Sequence, residues 1–240
     1  MKYGIGYYSL QSPPHKPRPH RELYAEMLEE ISLADEMGFD SAWLTEHHFL
    51  DDGYCPSVLL TAAAIAARTE NIRIGTGVLL MPLHDPVRVA EDAAVTDLIS
   101  NGRLILGLGL GYRQEEFDGF RRSLKERRGR MEESIEILRK SWGEDSFSID
   151  GDYYSLDDIN VTPKPVQRPI PIWIGAFTEP AIRRAAIIGA PLFVTAIGRI
   201  PIIKYLFDMH SSLLEEYGEN PDEYEKPLVR EIYISDESSD

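Results

Sequence analysis

A carboxylate and two imidazoles stand together in Thr45-Glu46-His47-His48-Phe49, the segment of this chain richest in groups that move protons. Histidine changes charge near neutral pH, so a placed imidazole can give or take a proton during a reaction. Neighbouring residues at the end of an extended strand point to opposite sides, and on that alternation only one of the two histidines faces a shared cavity. A metal centre would need more ligands converging from other segments. His84 and Asp85 are available for that, but no metal is expected. Three glycine-bearing runs complete the set. Gly75-Thr76-Gly77 reads by itself as a strand bulge. Gly109-Leu110-Gly111-Tyr112-Arg113 is a flexible loop ending in a cation. Gly175-Ala176-Phe177-Thr178 precedes a helix whose free N–H groups attract anions.

Each of these runs follows a short apolar strand, and the strands alternate with helices. Residues 3–8 read as the first strand, followed by a loop carrying Pro13, Pro14, Pro17 and Pro19. Leu23, Met27, Ile31 and Ala34 repeat at helical spacing over 20–37, and Gly38 stands where a left-handed cap is wanted. The pattern continues with strand 40–44, helix 57–68, strand 72–79, helix 86–99, strand 103–109, a loop over 110–117 and helix 127–142. Residues 143–169 interrupt it with a hairpin over 147–154 that turns at Asp150-Gly151. Strand 170–175, helix 179–189 capped by Thr178, strand 191–195, helix 200–217 and strand 228–234 follow. Residues 236–240 read as the start of another helix.

Serial β/α units imply parallel strands joined by right-handed crossovers. Chemistry-bearing residues follow the second, third, fourth and fifth strands, which favours a TIM-type (β/α) barrel over an open sheet with one switch point. The expected architecture is an α/β, TIM-type barrel domain over residues 1–240, short of its eighth β/α unit. A paired-carboxylate hydrolase built on Glu46 and Glu115 fits such a barrel but has no positive support.

The composition narrows the function classes. A net charge of −15 argues against nucleic acid and anionic membranes as partners. No apolar run approaches the roughly 20 residues of a membrane span. Cys55 is the one cysteine, which excludes an intramolecular disulfide framework and fits a reducing cytoplasm. The basic cluster Arg121, Arg122, Lys125, Arg127, Arg128 and Arg130 reads as a solvated helix face beside an active-site loop.

Several runs resemble the bacterial-luciferase-like family of flavin-dependent oxidoreductases, and the resemblance covers nearly the whole chain in order. They are Gly38-Phe39-Asp40-Ser41-Ala42-Trp43-Leu44-Thr45-Glu46-His47-His48-Phe49, the stretch from Ile74 to Asp92, Ser100-Asn101-Gly102-Arg103-Leu104 running on to Arg113, and Pro171-Ile172-Trp173-Ile174-Gly175. The resemblance implies a TIM-type barrel with flavin at its C-terminal mouth. It implies that His47 is the active-site histidine and that Glu46 lines the flavin pocket. It also implies a non-proline cis peptide at Gly77-Val78, against the face of the flavin ring.

The same resemblance leaves two places for the cofactor phosphate: Gly109, Gly111, Tyr112 and Arg113, or Gly175, Ala176, Phe177 and Thr178. Many relatives carry small polar residues where this chain has Ala176 and Phe177. Thr195 resembles a hydroxyl residue near the flavin. Tyr7, Tyr8, the proline-rich loop, Phe49 and Tyr112 are candidates for an apolar substrate vestibule. The implied activity is a monooxygenase using reduced FMN and dioxygen on a small organic substrate. The alternatives are F420-dependent hydride transfer and a non-catalytic flavin-binding protein. A separate flavin reductase and a homodimer through helices 57–68 and 86–99 are the implied partners.

Overall fold

The computed structural model describes residues 1–194 and 199–230. The chain falls into two compact units, Met1–Ile172 and Trp173–Asp240. In the first unit the elements run β1 (Gly4–Tyr8), α1 (His20–Glu36), β2 (Ser41–Leu44), α2 (Val58–Ala66), β3 (Arg73–Thr76), β4 (Leu79–Leu80), α3 (Pro86–Ser100), β5 (Leu104–Gly109), α4 (Gln114–Gly119) and α5 (Arg127–Gly143). A hairpin of β6 (Phe147–Asp150) and β7 (Ser155–Ile159) follows, and then β8 (Ile172–Gly175), which straddles the boundary. The second unit continues with α6 (Glu179–Ile188), β9 (Leu192–Phe193) and α7 (Ile200–Glu216).

β1, β2, β3 and β5 pair in that order, all parallel, as serial β/α units require. The register sets the C-terminal residues side by side: Tyr8 opposes Leu44, and Leu44 opposes Thr76. Every residue of β2 and of β5 is buried. Strands covered on both faces are near-continuously apolar, which is why Leu104-Ile105-Leu106-Gly107-Leu108 shows no alternation.

The helices pack through small residues. Ala62 of α2 and Ala90, Ala93 and Ala94 of α3 have no exposure, and Trp142 of α5 donates its indole N–H to the Ala90 carbonyl at 3.1 Å. Arg103 ties the lower ends together. Its guanidinium donates to Ala66 O, Thr69 O, Thr69 Oγ1, Ile72 O and Ser100 O at 2.7–3.1 Å. Asp35 receives the backbone N–H groups of Glu70, Asn71 and Ile72 at 2.6–3.0 Å, docking the α2–β3 connection onto α1.

The structure departs from the expected elements in three places. The strand expected over 72–79 breaks after Thr76, because a cis peptide at Gly77–Val78 redirects the chain before Leu79 and Leu80 pair with Leu108 and Gly109 of β5. The expected loop over 110–117 contains α4, whose Phe117 is fully buried. The hairpin turn is longer than Asp150-Gly151. The Glu133 carboxylate on α5 accepts from the backbone N–H groups of Asp152, Tyr153 and Tyr154, so the second strand begins only at Ser155. By contrast, α1 ends where expected, with Gly38 at φ +81, a conformation L side chains rarely adopt.

In the second unit β8 and β9 are parallel, with Ile174 opposite Leu192, and α6 packs on α7. α6 ends at Gly189 in the left-handed conformation. Val194 forms a single parallel bridge with Leu228, the first residue of the strand expected over 228–234. Residues 231–240 lie outside the described residues, as does the expected site residue Thr195.

Candidate active site

Leu44 and Thr76 end paired strands, and the chains leaving them carry the candidate chemistry at the same end of the sheet. Past Leu44 the backbone leaves β2, and the two histidines separate into different surroundings. His47 directs Nδ1 to Glu116 Oε1 at 2.8 Å. That oxygen also accepts the His48 backbone N–H at 3.0 Å and faces Arg113 Nη1 at 3.4 Å. An oxygen already accepting hydrogen bonds is an acceptor toward the ring as well, so Nδ1 donates and Nε2 is the nitrogen this contact leaves open. The ring is held edge-on between Tyr54, at 4.8 Å between centroids, and Tyr112, at 5.8 Å. Burial, the largest influence, raises the Tyr54 phenol, which donates to Thr45 Oγ1 at 2.7 Å.

Glu116 is the residue that the sequence reading missed. Its side chain has no exposure, and its Oε2 is buried without a hydrogen-bond partner among the described residues. A buried acceptor left open is costly unless something supplies a donor. The signal available in the sequence was the pair Arg113 and Glu116 three residues apart, one turn of a helix that the glycines of the preceding loop conceal. Glu115, the neighbour weighed for hydrolysis, is exposed.

Glu46 and His48 join His84 in a second cluster behind the first. Glu46 Oε1 accepts from His48 Nε2 and His84 Nε2 at 2.6 Å each, and Oε2 accepts the Leu80 backbone N–H at 2.8 Å. Burial works to raise the Glu46 pKa, but the nearby His84 and the hydrogen bonds from both imidazoles outweigh it and hold the carboxyl down at about 2. Burial lowers His84, and the Glu46 charge reverses that, so His84 is raised overall. Ligand atoms of these three residues lie within 4.8 Å of one another, so His84 converges here as a metal reading would ask. Asp85 does not: it caps α3, accepting the N–H groups of Val87 and Arg88 at 3.0 and 3.1 Å.

The Gly77–Val78 peptide is cis, as the family resemblance implies, and Gly77 N–H donates to Leu44 O at 2.6 Å. The Val78 side chain occupies the space that a Cβ on Gly109 would need. Gly109 is therefore not interchangeable with alanine while Val78 stands where it does. Gly111 has φ +69 and turns the chain into α4 beside Phe117. Tyr112 is largely exposed, and Arg113 donates to His48 O at 3.2 Å. Tyr8 turns toward α1, where its hydroxyl donates to Glu30 Oε2 at 3.0 Å, and the Tyr7 side chain lies outside what is described. Phe49 is exposed and adopts φ +56.

The basic cluster also borders this region. The Phe120 ring meets the His48 ring edge-on at 4.7 Å, and the Arg122 charge acts on His84. Lys125, Arg127 and Arg128, with Leu124, line a cavity of about 350 Å³. Arg130 is neutralised by Glu126 at 2.8 Å and lies over the rings of Tyr153 and Tyr154. No carboxylate pairs with Arg121, Arg122, Lys125, Arg127 or Arg128 among the described residues. α5 begins there without a side-chain cap, and cations at a helix N-terminus oppose its dipole.

In the second unit, Gly175 ends β8, Ala176 is buried and Phe177 is half exposed. Thr178 takes the N-cap position of α6, but its hydroxyl makes no capping hydrogen bond, contrary to the expected cap.

Among known proteins, the chain is 29% identical over 225 residues to the oxygenase component of a flavin-dependent trigonelline monooxygenase from Acinetobacter baylyi, covering 92% of this chain and 62% of that one. It is 37% identical over 159 residues to an F420-dependent glucose-6-phosphate dehydrogenase from Amycolatopsis mediterranei, covering 63% and 47%. The chain thus spans less than two thirds of the length of these curated relatives. The crystal structure of monooxygenase RslO1 from Streptomyces bottropensis superposes with a TM-score of 0.83 at 30% identity, covering 92% of this chain and 68% of that one. The fold class is that of the luciferase-like TIM-barrel proteins, α/β with parallel strands. The family described as luciferase-like monooxygenase matches residues 5–240, and the chain belongs to that family.

Proposed function

We propose that this chain is the part of a flavin-dependent oxidoreductase that carries the cofactor and the reacting groups, working as a monooxygenase with reduced FMN and dioxygen on a small organic substrate. The observation that carries the reading is that the cis Gly77–Val78 peptide and an imidazole whose Nδ1 is held by a buried carboxylate follow paired strands at the same end of a parallel sheet. The residues present fit such a cofactor: Lys125, Arg127 and Arg128 line a cavity with no carboxylate paired to them among the described residues, which suits an anionic group. When bound, a reduced flavin supplies the electrons that activate dioxygen, and the deazaflavin F420 supplies a hydride instead.

His47 Nε2 accepts or donates the proton that the substrate's conversion requires. Glu116 keeps the ring in the one tautomer that leaves Nε2 available. Tyr54 and Tyr112, meeting the ring at steep angles, keep it from swinging. Gly77, Val78 and Gly109 form the backbone shelf for the ring system. Lys125, Arg127 and Arg128 hold the phosphate, with Arg113 and Gly111 on the loop before them. The rival place for a phosphate is the N-terminus of α6, at Gly175, Ala176, Phe177 and Thr178.

The second reading, hydride transfer with F420, draws support from the F420-dependent relative. A separate reductase supplies the reduced flavin in the first reading. We also propose a homodimer through α2 and α3 and a cytoplasmic location. No helix among the described residues is long and apolar enough to cross a membrane, and Cys55 is a buried free thiol.

Titrating the purified chain with FMN, riboflavin and F420, followed by flavin fluorescence, tests the reading. FMN should bind more tightly than riboflavin. The double variant Arg127→Gln, Arg128→Gln should remove about ten- to a hundredfold of FMN affinity, the worth of one charge-assisted contact, and leave riboflavin unchanged. Thr178→Val should have that effect instead if the phosphate sits at α6. No affinity for any of the three ligands would end the proposal.

A further inference from the structure

The Glu46 carboxylate is spent entirely within the protein, although it stands beside the proposed active-site histidine. Its three partners come from separate points on the chain. His48 adjoins His47, Leu80 lies two residues past the cis Gly77–Val78 peptide, and His84 follows the single 3-10 turn Met81–Leu83. Few other bonds locate the backbone between β3 and α3: Gly77 N–H to Leu44 O, His84 N–H to Met81 O, and the two-residue β4. A fully buried carboxylate needs such donors, and donors to a charged acceptor are the strong ones.

We propose that Glu46 is a positioning residue: with His48 and His84 as its donors, it brackets the 77–84 segment to the 45–48 segment and so fixes the Gly77–Val78 shelf relative to His47. The inference rests on the cofactor reading of that shelf. The same three side chains could draw on a divalent cation, but in this geometry both imidazole Nε2 atoms already converge on one carboxylate oxygen at 2.6 Å. The hydrogen-bonded bracket accounts for that convergence by itself. It also accounts for the Leu80 amide on the second oxygen, to which a metal contributes nothing.

The test uses His84, whose side chain is 27% exposed and can be changed without opening the core. His84→Gln keeps an N–H donor at a similar reach, whereas His84→Phe fills the space and offers none. In the full chain, exchange of the Leu80 amide with solvent, read by NMR without cofactor, should speed up about tenfold in H84F and stay at the wild-type rate in H84Q. Affinity for FMN should fall in the same order, by about tenfold in H84F alone. His84→Ala replaces H84F if the larger ring prevents folding.

Equal Leu80 exchange in wild type, H84Q and H84F would overturn the proposal, because packing alone would then hold the segment. Stoichiometric zinc bound by the wild type and lost in both variants would overturn it too. If none of the proteins binds FMN or F420 while the Leu80 difference persists, the bracket stands and the cofactor reading falls.

Discussion

At the scale of single residues, the arrangement turns on which imidazole nitrogen is free. Glu116 Oε1 already accepts the His48 N–H, so His47 must donate from Nδ1, and Nε2 is the nitrogen left for the proposed proton transfer. His47→Ala should leave cofactor affinity near the wild-type value and cut turnover by about 10²–10⁴, the range of a lost acid–base group. Glu116→Gln keeps the shape, and its side-chain oxygen still accepts the His48 N–H, but the negative charge beside the ring is lost. Turnover should fall by about ten- to a hundredfold, with a displaced pH profile. Steady-state rates across pH for both variants check this, and unchanged turnover in H47A would remove His47 from the mechanism. Type and place after a strand marked the pair His47 and His48, and the family resemblance singled out His47 as the candidate. Glu116 and His84 were less legible, because what they do depends on contacts 69 and 38 residues away along the chain. No local pattern encodes such a pairing.

Among the elements, the connections rather than the strands carry the surprises. Strand and helix positions followed from apolar runs and helical spacing, and α1, α3, α5 and α6 lie within a residue or two of where the sequence puts them. α4 stayed hidden because its six residues offer one buried apolar side chain, Phe117, too short a pattern for periodicity. The longer hairpin turn reflects Glu133 reaching from α5, again a distant partner.

The α2–β3 connection offers a pH test. Burial works to raise the Asp35 carboxyl, but the N–H groups of Glu70, Ile72 and Asn71, with Arg103 nearby, lower it overall. A lowered folded value means the stabilisation is present above the ordinary 3.8 and is lost as pH falls through the folded value. Asp35→Asn should therefore cost about 1–2 kcal/mol at pH 7, with the gap to wild type closing in acid. Urea unfolding at neutral and at acid pH measures it, and a gap that does not narrow would contradict the assignment.

For the molecule as a whole, charge and exposed apolar surface pull in opposite directions. Leu60 of α2 and Val95, Leu98 and Ile99 of α3 are exposed, and the proposed homodimer would cover them. The net charge of −15 opposes bringing two copies together, so association should strengthen as salt screens the repulsion. Sedimentation should show a dimer for the wild type, tighter at higher ionic strength, and a folded monomer for Leu60→Glu, Leu98→Glu. A wild type that sediments as a monomer at all salt concentrations would refute the interface. The family and the parallel α/β plan were both readable at this scale, since repeated β/α units and ordered motifs extend along the chain.

Val78 filling the hollow of Gly109 has an evolutionary corollary. The two positions share one volume, so position 109 cannot gain a side chain alone. A methyl group gained at 109 demands that the branched side chain at 78 shrink, and lineages carrying alanine or serine at the first should carry glycine or alanine at the second.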